Sequence, residues 1–580
     1  MWHGIEGEVA ERKQKLELTW IGKENRPRLE PRILLEDQEK SYHAAHRVTD
    51  KDIFDNRLIF GDNLLALKAL EQEFAGKIKC VFIDPPYNTG SAFEHYDDGV
   101  EHSLWLSLMR DRIELIQCLL SDTGTLWVTL DDNEAHYFKI IADEIFGRRN
   151  FVANVIWEKA DSPRMDANFF SSRHDHVIVF AKNLSLLTIN QVITENEETP
   201  RHYSKIDKAG RKYYLKPLRA MGAEGTREAR PSLFFSLIAP DGTQVFPKNP
   251  DGSDSRWRWN PERVEKEKHR IEWVKGRNGW SAYFRIYADD NETRPPETIW
   301  PHALVGSNRT AKAEAKSFVT AGKPFETPKP ERLIKRIIEI STLPGDIVLD
   351  SFAGSGTTGA VAHKMGRGWI MVELGEHCHT HIIPRMKKVI DGTDQGGISK
   401  AVNWKGGGGF RYFRLAPSLL ENDKRGNWII SKEYNAAMLA SAMAKHEGFV
   451  YNPDENFYWK QGKSTEKDYI FTTTNFITIE YLDSIHEEMQ PDESLLICCK
   501  SFQKACEDRY ANITVRKIPN MLLGRCEFGK DDYSLNIASL PWQADKDTEA
   551  GDPAEIGSKG KKTKKPSLKN QQGLFDKEGE

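Results

Sequence analysis

Leu349-Asp350-Ser351-Phe352-Ala353-Gly354-Ser355-Gly356-Thr357-Thr358 decides the fold. An apolar run with strand character ends at Asp350, two glycines follow, and helical spacing runs from Thr357 to Met365. Glycine lets a backbone approach a ligand closely, and the helix N-terminus behind it offers N–H groups without intrahelical partners. Such a turn can hold the pyrophosphate of a dinucleotide. Here, however, the spacing is Gly-Ser-Gly rather than GxGxxG, and no Walker-type GK[ST] follows. The next apolar strand, Gly368 to Glu373, ends in a carboxylate suited to two ribose hydroxyls. A nucleoside without a pyrophosphate fits this pattern; a purely structural strand–helix turn would use the same two glycines.

Outward from that stretch, short apolar runs alternate with helical spacing. Lys79 to Ile83, Thr125 to Leu130 and His176 to Ala181 read as strands, and His102 to Leu120, Asn133 to Phe146 and Glu331 to Ser341 as helices. Strands separated by helices imply an α/β fold with a parallel sheet covered on both faces. Between about Asn190 and Phe325 the rhythm breaks into a segment rich in Arg, Lys, Trp, Tyr, Gly and Pro, as in Arg256-Trp257-Arg258-Trp259. One α/β domain interrupted by an inserted module is the simplest account. Gly406 to Gly409 reads as a hinge to a C-terminal α+β region. From about Asp545 the chain turns polar, with a Lys run from Lys559 to Lys565, and is expected to be disordered. The expected units are a 1–50 extension, catalytic halves at 51–190 and 326–415, an insert at 191–325, a C-terminal domain at 416–545 and a tail at 546–580.

At 580 residues the chain exceeds one ordinary core. No apolar run approaches the roughly 20 residues that span a bilayer, and Met1 to Glu30 lacks an apolar signal-peptide core; a cytoplasmic setting is expected. The seven cysteines form no CxxC pairs, so reduced thiols are expected. The net charge of −4 does not exclude a local basic cleft.

A second stretch, Ile83-Asp84-Pro85-Pro86-Tyr87-Asn88, follows an apolar strand. The two prolines stiffen the backbone and remove two N–H donors. A carboxylate beside their carbonyls makes an acceptor-only pocket, suited to an exocyclic –NH2, and Tyr87 offers a flat face for a base. An aromatic amine's lone pair is delocalised into its ring. Two acceptors that gather both N–H bonds favour the pyramidal geometry needed to attack a methyl sulfonium, by positioning and electrostatics rather than by a strong base.

Asp-Pro-Pro-Tyr placed before Phe-Ala-Gly-Ser-Gly-Thr-Thr, with a large insert between them, resembles the β class of amino-DNA methyltransferases. Within it the chain is most similar to modification subunits of type III restriction–modification systems. Asn56-Arg57-Leu58-Ile59-Phe60-Gly61-Asp62-Asn63 and Thr327-Pro328-Lys329-Pro330-Glu331-Arg332-Leu333 share the likeness, which runs from about Ile53 to Leu415. The resemblance implies a Rossmann-like, S-adenosylmethionine-dependent fold with circularly permuted motif order and an inserted target-recognition domain. It implies that Asp84, Pro85, Pro86 and Tyr87 hold the target amine. Asp350, Phe352, Gly354, Ser355, Gly356, Thr357, Glu373, Lys329 and Glu331 would hold S-adenosyl-L-methionine. Asp at position 84 favours adenine N6 over cytosine N4, where Ser is usual.

In the insert, Arg256, Arg258, Lys275, Arg277 and Arg285 are the candidate contacts to double-stranded DNA, with aromatics for stacking and wedging. The geometry of amino-methylation requires the adenine to leave the stack. His377, Cys378, His379 and His381 read as a surface helix, and no metal centre is expected. Gln571, Leu574 and Phe575 resemble a sliding-clamp docking peptide. The implied partners are a helicase–nuclease restriction subunit and a second copy of the chain; the alternative is a solitary adenine methyltransferase or a cytosine-N4 DNA methyltransferase.

Overall fold

The computed structural model describes residues 17–86, 98–165, 167–193, 203–222, 224–276, 279–288, 293–318 and 323–534. Its main sheet has eleven strands: β1 (Leu34–Glu36), β2 (Tyr42–His43), β3 (Asn56–Phe60), β4 (Ile78–Ile83), β5 (Leu120–Leu130), β6 (Phe151–Glu158), β7 (His174–Ala181), β8 (Ile299–Trp300), β9 (Ile347–Asp350), β10 (Gly368–Glu373) and β11 (Gly409–Leu415). They lie in the order β1-β11-β3-β10-β9-β4-β5-β7-β6-β8, with β2 also on β11. From β11 to β5 neighbouring strands are parallel; β7 is antiparallel to both β5 and β6. The apolar runs read as strands from the sequence are strands, because both faces of such a sheet are buried.

Helices α1 (Asn63–Phe74), α2 (Asp98–Leu119), α3 (Ala135–Ala142), α4 (Asn308–Phe318), α5 (Glu331–Ser341), α6 (Thr357–Lys364) and α7 (Ile383–Ile390) flank the sheet. On α5, Leu333, Ile334, Ile337 and Ile338 are wholly buried, each burial worth about 1.5–3 kcal/mol. α1 starts where the Asp62 carboxylate accepts from the Leu64 and Leu65 N–H groups at 2.9 and 3.1 Å, a side-chain N-cap.

The structure moves three boundaries. Residues 1–50 are not a separate extension throughout, since β1 and β2 both pair with β11. Strands of two or three residues joined through backbone bonds leave no apolar alternation in the sequence. The insert closes at a two-stranded neck, Val192–Ile193 against Thr293–Arg294, well before residue 325. β8 then returns to the main sheet beside β6, with Trp300 buried. Gly406 to Gly409 form no hinge: all four are buried, and a Cβ on Gly408 would stand 2.7 Å from the Ile53 carbonyl oxygen. Glycine is required there because two backbones touch.

Inside the neck, Ile271–Gly276, Gly279–Tyr287, Lys212–Pro217 and Lys205–Ile206 build a four-stranded antiparallel sheet. The Arg-Trp-Arg-Trp stretch behaves otherwise than its composition suggests. Trp257 and Trp259 are the core of the insert, packed with Leu218, Val264 and Ala282. The C-terminal region has its own cores and a five-stranded sheet whose strands Asp468–Ile477, Ser494–Phe502 and Ile513–Lys517 run parallel. It locks onto α1 through Lys445 Nζ, which donates to the Ala69 carbonyl at 2.6 Å. The described chain then ends back at α1, where the Tyr533 N–H donates to Asp62 Oδ2 at 3.0 Å. All seven cysteines are free. Among the described residues no helix is long and apolar enough to cross a membrane.

Candidate active site

Asp84 and Asp350 lie far apart in the sequence, yet β4 and β9 are neighbours in the sheet, with Cys80 opposite Val348 and Val81 opposite Leu349. Both aspartates therefore emerge at the same carboxyl edge, where open α/β sheets bind ligands. A cleft of about 970 Å³ opens there, lined by Asp84, Pro85, Pro86, Lys329, Asp350, Phe352, Gly354, Ser355, Thr357 and Glu373.

Asp84 follows the last residue of β4 and faces this cleft. Thr129 Oγ1–H donates to its Oδ1 at 2.5 Å, and the Lys329 ammonium is bonded to its Oδ2. The Pro86 carbonyl accepts from the Trp105 indole N–H at 2.9 Å, which pins the proline pair against α2. Two strands beyond β4, on β7, Asp175 is buried and salt-bridged to Lys159 at 2.7 Å. Desolvation pushes its carboxyl above the usual range, against the pull of Lys159 and Lys329. Tyr87 lies outside the described residues.

The glycine loop is built from both sides. Gly354 and Gly356 have φ of 52° and 74°, and a Cβ on either would press on Phe325 or Ile382. Asp350 is buried beneath the loop; its Oδ1 accepts from the Phe352 N–H at 2.9 Å and its Oδ2 from Thr358 Oγ1–H at 2.5 Å. Burial, reinforced by the nearby carboxylates of Asp84 and Glu373, pushes the Asp350 carboxyl up to about 7. Glu373 accepts from the Gly354 and Gly375 N–H groups, both at 2.8 Å, so it holds the loop as well as facing the cleft. Ser351 Oγ, buried in the wall, has no hydrogen-bond partner among the described residues. An orphan donor beside glycines that exclude any Cβ fits a polar ligand seated against the loop.

Lys329, expected among the cofactor contacts, lines the cleft and is bonded to Asp84. Glu331 needs a larger correction. It is wholly buried behind the loop, accepting from Lys364 Nζ at 2.8 and 2.9 Å, from Arg385 at 2.8 Å and from the Ile398 N–H at 2.9 Å. Arg385 in turn donates to the Ser355 carbonyl at 3.2 Å and to Thr357 Oγ1 at 2.8 Å. Glu331 thus supports the loop through Arg385 and does not line the cleft.

In the insert, Arg256 and Arg258 direct their Nε–H groups at backbone carbonyls of Glu224, Pro217 and Arg219. Arg285 is salt-bridged to Glu272 at 2.9 Å. Lys275 is exposed, 3.7 Å from Asp241; Arg277 lies outside the described residues. His377 approaches Glu373 Oε1 at 3.0 Å, His379 meets Tyr412 and His381 meets the Lys323 carbonyl. With Cys378 buried, these four do not converge. Thr129, Asp175, Asn63 and Arg112 were not read from the sequence; Asn63 and Arg112 line the cleft, and Arg112 Nε–H donates to Asn63 Oδ1. Only Asn63 carried a signal, at the end of the Asn56–Asn63 stretch, and it donates to the Ser351 carbonyl at 2.8 Å.

A family profile described as DNA methylase, covering N6 and N4 enzymes, matches residues 78–384. The chain is 33% identical over 431 residues to the probable type III restriction–modification enzyme HindVI Mod subunit of Haemophilus influenzae, covering 66% of this chain and 56% of that protein. It is 28% identical over 438 residues to the type III EcoPI Mod subunit of Escherichia phage P1, covering 67% and 66%. The solved PvuII DNA methyltransferase, titled cytosine-N4-specific, aligns with a TM-score of 0.33 at 14% identity, over 62% of this chain and 95% of that one. The chain thus spans little more than half the length of the HindVI relative. Because the profile runs through β4, the insert and the glycine loop over more than half of the sequence, the chain belongs to the N6/N4 DNA methylase family.

Proposed function

We propose that the chain transfers a methyl group from S-adenosyl-L-methionine to the N6 amine of adenine at a specific site in double-stranded DNA. The observation that carries this is Asp84 held open at the carboxyl edge beside the glycine loop, between Thr129 and Lys329. S-adenosylmethionine, when bound, supplies an electrophilic methyl on a sulfonium. Asp84 accepts one N–H bond of the amine and the proline-pair backbone the other, which turns the nitrogen lone pair toward the loop side of the cleft. Lys329 and Thr129 each occupy one Asp84 oxygen, so the carboxylate is oriented before the base arrives. The proton lost by the amine after transfer leaves through Asp84 toward the open cleft.

The likeness to Mod subunits supports the further reading that the chain is the modification subunit of a type III-like system. It would then work in the cytoplasm on chromosomal DNA, as a dimer beside a helicase–nuclease subunit. Clamp docking through Gln571, Leu574 and Phe575 lies outside the described residues. The test is modification-sensitive sequencing of DNA from a methylation-free bacterial host expressing the chain, with Asp84→Ala as control. N6-methyladenine at one short motif, absent from the control, supports the proposal. N4-methylcytosine overturns the base, and no modification by soluble chain that binds S-adenosylmethionine overturns the substrate.

A further inference from the structure

We propose that the loop joining β6 to β7 is a wedge that enters the duplex when the target base leaves the stack, with Phe169 and Phe170 taking up the vacated space. This rests on the DNA reading above. Its base is tightly built. Arg173 donates to Glu158 at 2.5 Å and to the Ala160 and Asp161 carbonyls at 3.1 and 3.2 Å. The Arg164 N–H donates to Ser171 Oγ at 2.6 Å. Its tip has the reverse character: Met165, Phe169 and Phe170 are 94%, 95% and 96% exposed. Single exposed apolar residues are ordinary, but three nearly bare ones on one loop mark a contact surface.

The loop's position and charge name the partner. Arg164 and Lys159, in the loop's first limb, line the same cleft as Asp84, and Lys312, Lys316 and Lys323 border that cleft. A basic rim draws a phosphate backbone to the cleft mouth, and an apolar side chain beside it is the kind that inserts between base steps. The Trp pair of the insert cannot do this, since Trp257 and Trp259 are buried in its core.

The test uses the full chain and two duplexes bearing its mapped site: one with 2-aminopurine at the target position, which reports unstacking but has no N6 amine, and one with adenine there, on which methylation is measured. Wild-type protein raises 2-aminopurine fluorescence as the base leaves the stack. The Phe169→Ala/Phe170→Ala variant melts like wild type, because the replaced rings are exposed, but loses that rise and methylates the paired site at least tenfold more slowly. A mismatch opposite the target lowers the unstacking cost and returns the variant to within about threefold of wild type. An undiminished fluorescence rise in the variant overturns the wedge, as does equal loss on paired and mismatched duplexes, which would make the loop a general DNA clamp or a protein-docking site. Failure of wild type itself to methylate the paired site overturns the DNA reading instead.

Discussion

Asp84 and Asp350 end adjacent parallel strands of one sheet, and their surroundings differ sharply. Asp84 has 21% of its side chain exposed and is bonded to groups distant in sequence, Thr129 and Lys329. Asp350 is 2% exposed, tied to the Phe352 N–H two residues on and to Thr358. The cause is the residue at i+2. A carboxylate ending a strand commonly folds back onto the N–H two positions later; Phe352 has that N–H and Pro86 does not. Pro86 thus denies Asp84 the i+2 donor that Asp350 uses, whereas the Ser-Phe-Ala-Gly turn captures Asp350 as part of the loop. Identical residues near the carboxyl ends of neighbouring strands are divided between the amine contact proposed for Asp84 and the holding of a backbone by Asp350.

The largest expected effect tests the open member of the pair. Asp84→Ala should slow methyl transfer roughly a thousandfold, the scale of losing an electrostatic transition-state contact. Equilibrium dialysis should show S-adenosylmethionine binding within about threefold of wild type; joint loss of binding and turnover would merge the two roles that the comparison separates. On the captured side, Glu331→Ala removes the buried counter-charge of Arg385 and one of the two buried carboxylates, Glu331 and Asp394, that pair with Lys364, a change of about 3–5 kcal/mol in stability. Denaturant unfolding measures it, and a change under 1 kcal/mol would mean that the network is dispensable.

Pro86→Ala is the direct attempt to erase the difference. It gives Asp84 the i+2 donor that Asp350 already has, and a competing bond of about 1–1.5 kcal/mol should cut kcat about tenfold while leaving cofactor binding unchanged. Unchanged kcat would show that Thr129 and Lys329 suffice to hold Asp84 outward. The smallest effect is in the pH dependence of the apo protein. Asp350 binds its proton more tightly folded, at about 7 against an ordinary 3.8, so between those pH values the folded state carries the extra proton and stability falls as pH rises. Glu314, raised to about 7 mainly by burial, acts in the same direction. Asp350→Asn should flatten that fall by up to about 1.4 kcal/mol per pH unit, read from unfolding at pH 5.5 and 7.5; an unaltered slope would place the titration elsewhere.

The edge that lines the cleft was legible because its residues are contiguous and chemically narrow. Asp-Pro-Pro after an apolar strand and Gly-Ser-Gly before a helix each constrain the local backbone, and Pro85, Asp350, Gly354 and Glu373 stand where those motifs place them. The insert was not legible from composition. Along a chain, Arg256-Trp257-Arg258-Trp259 looks like a nucleic-acid surface, but its period of two sends the tryptophans inward and leaves the arginines on the rim, bonded to nearby carbonyls. Phe169 and Phe170, in a stretch that carried no motif, are with Met165 the most exposed large apolar side chains among the described residues.

By itself the sequence determined the elements, the two motifs and the family resemblance, since strand period, proline and glycine act on their own neighbours. The tertiary structure decided which distant groups complete each motif: Lys329 and Thr129 on Asp84, Glu331 acting through Arg385 on the loop, and β1 and β8 as edges of the main sheet. Those choices rest on contacts between residues tens to hundreds of positions apart, made only when the folded sheet and its helices bring them together, and local sequence carries no trace of them.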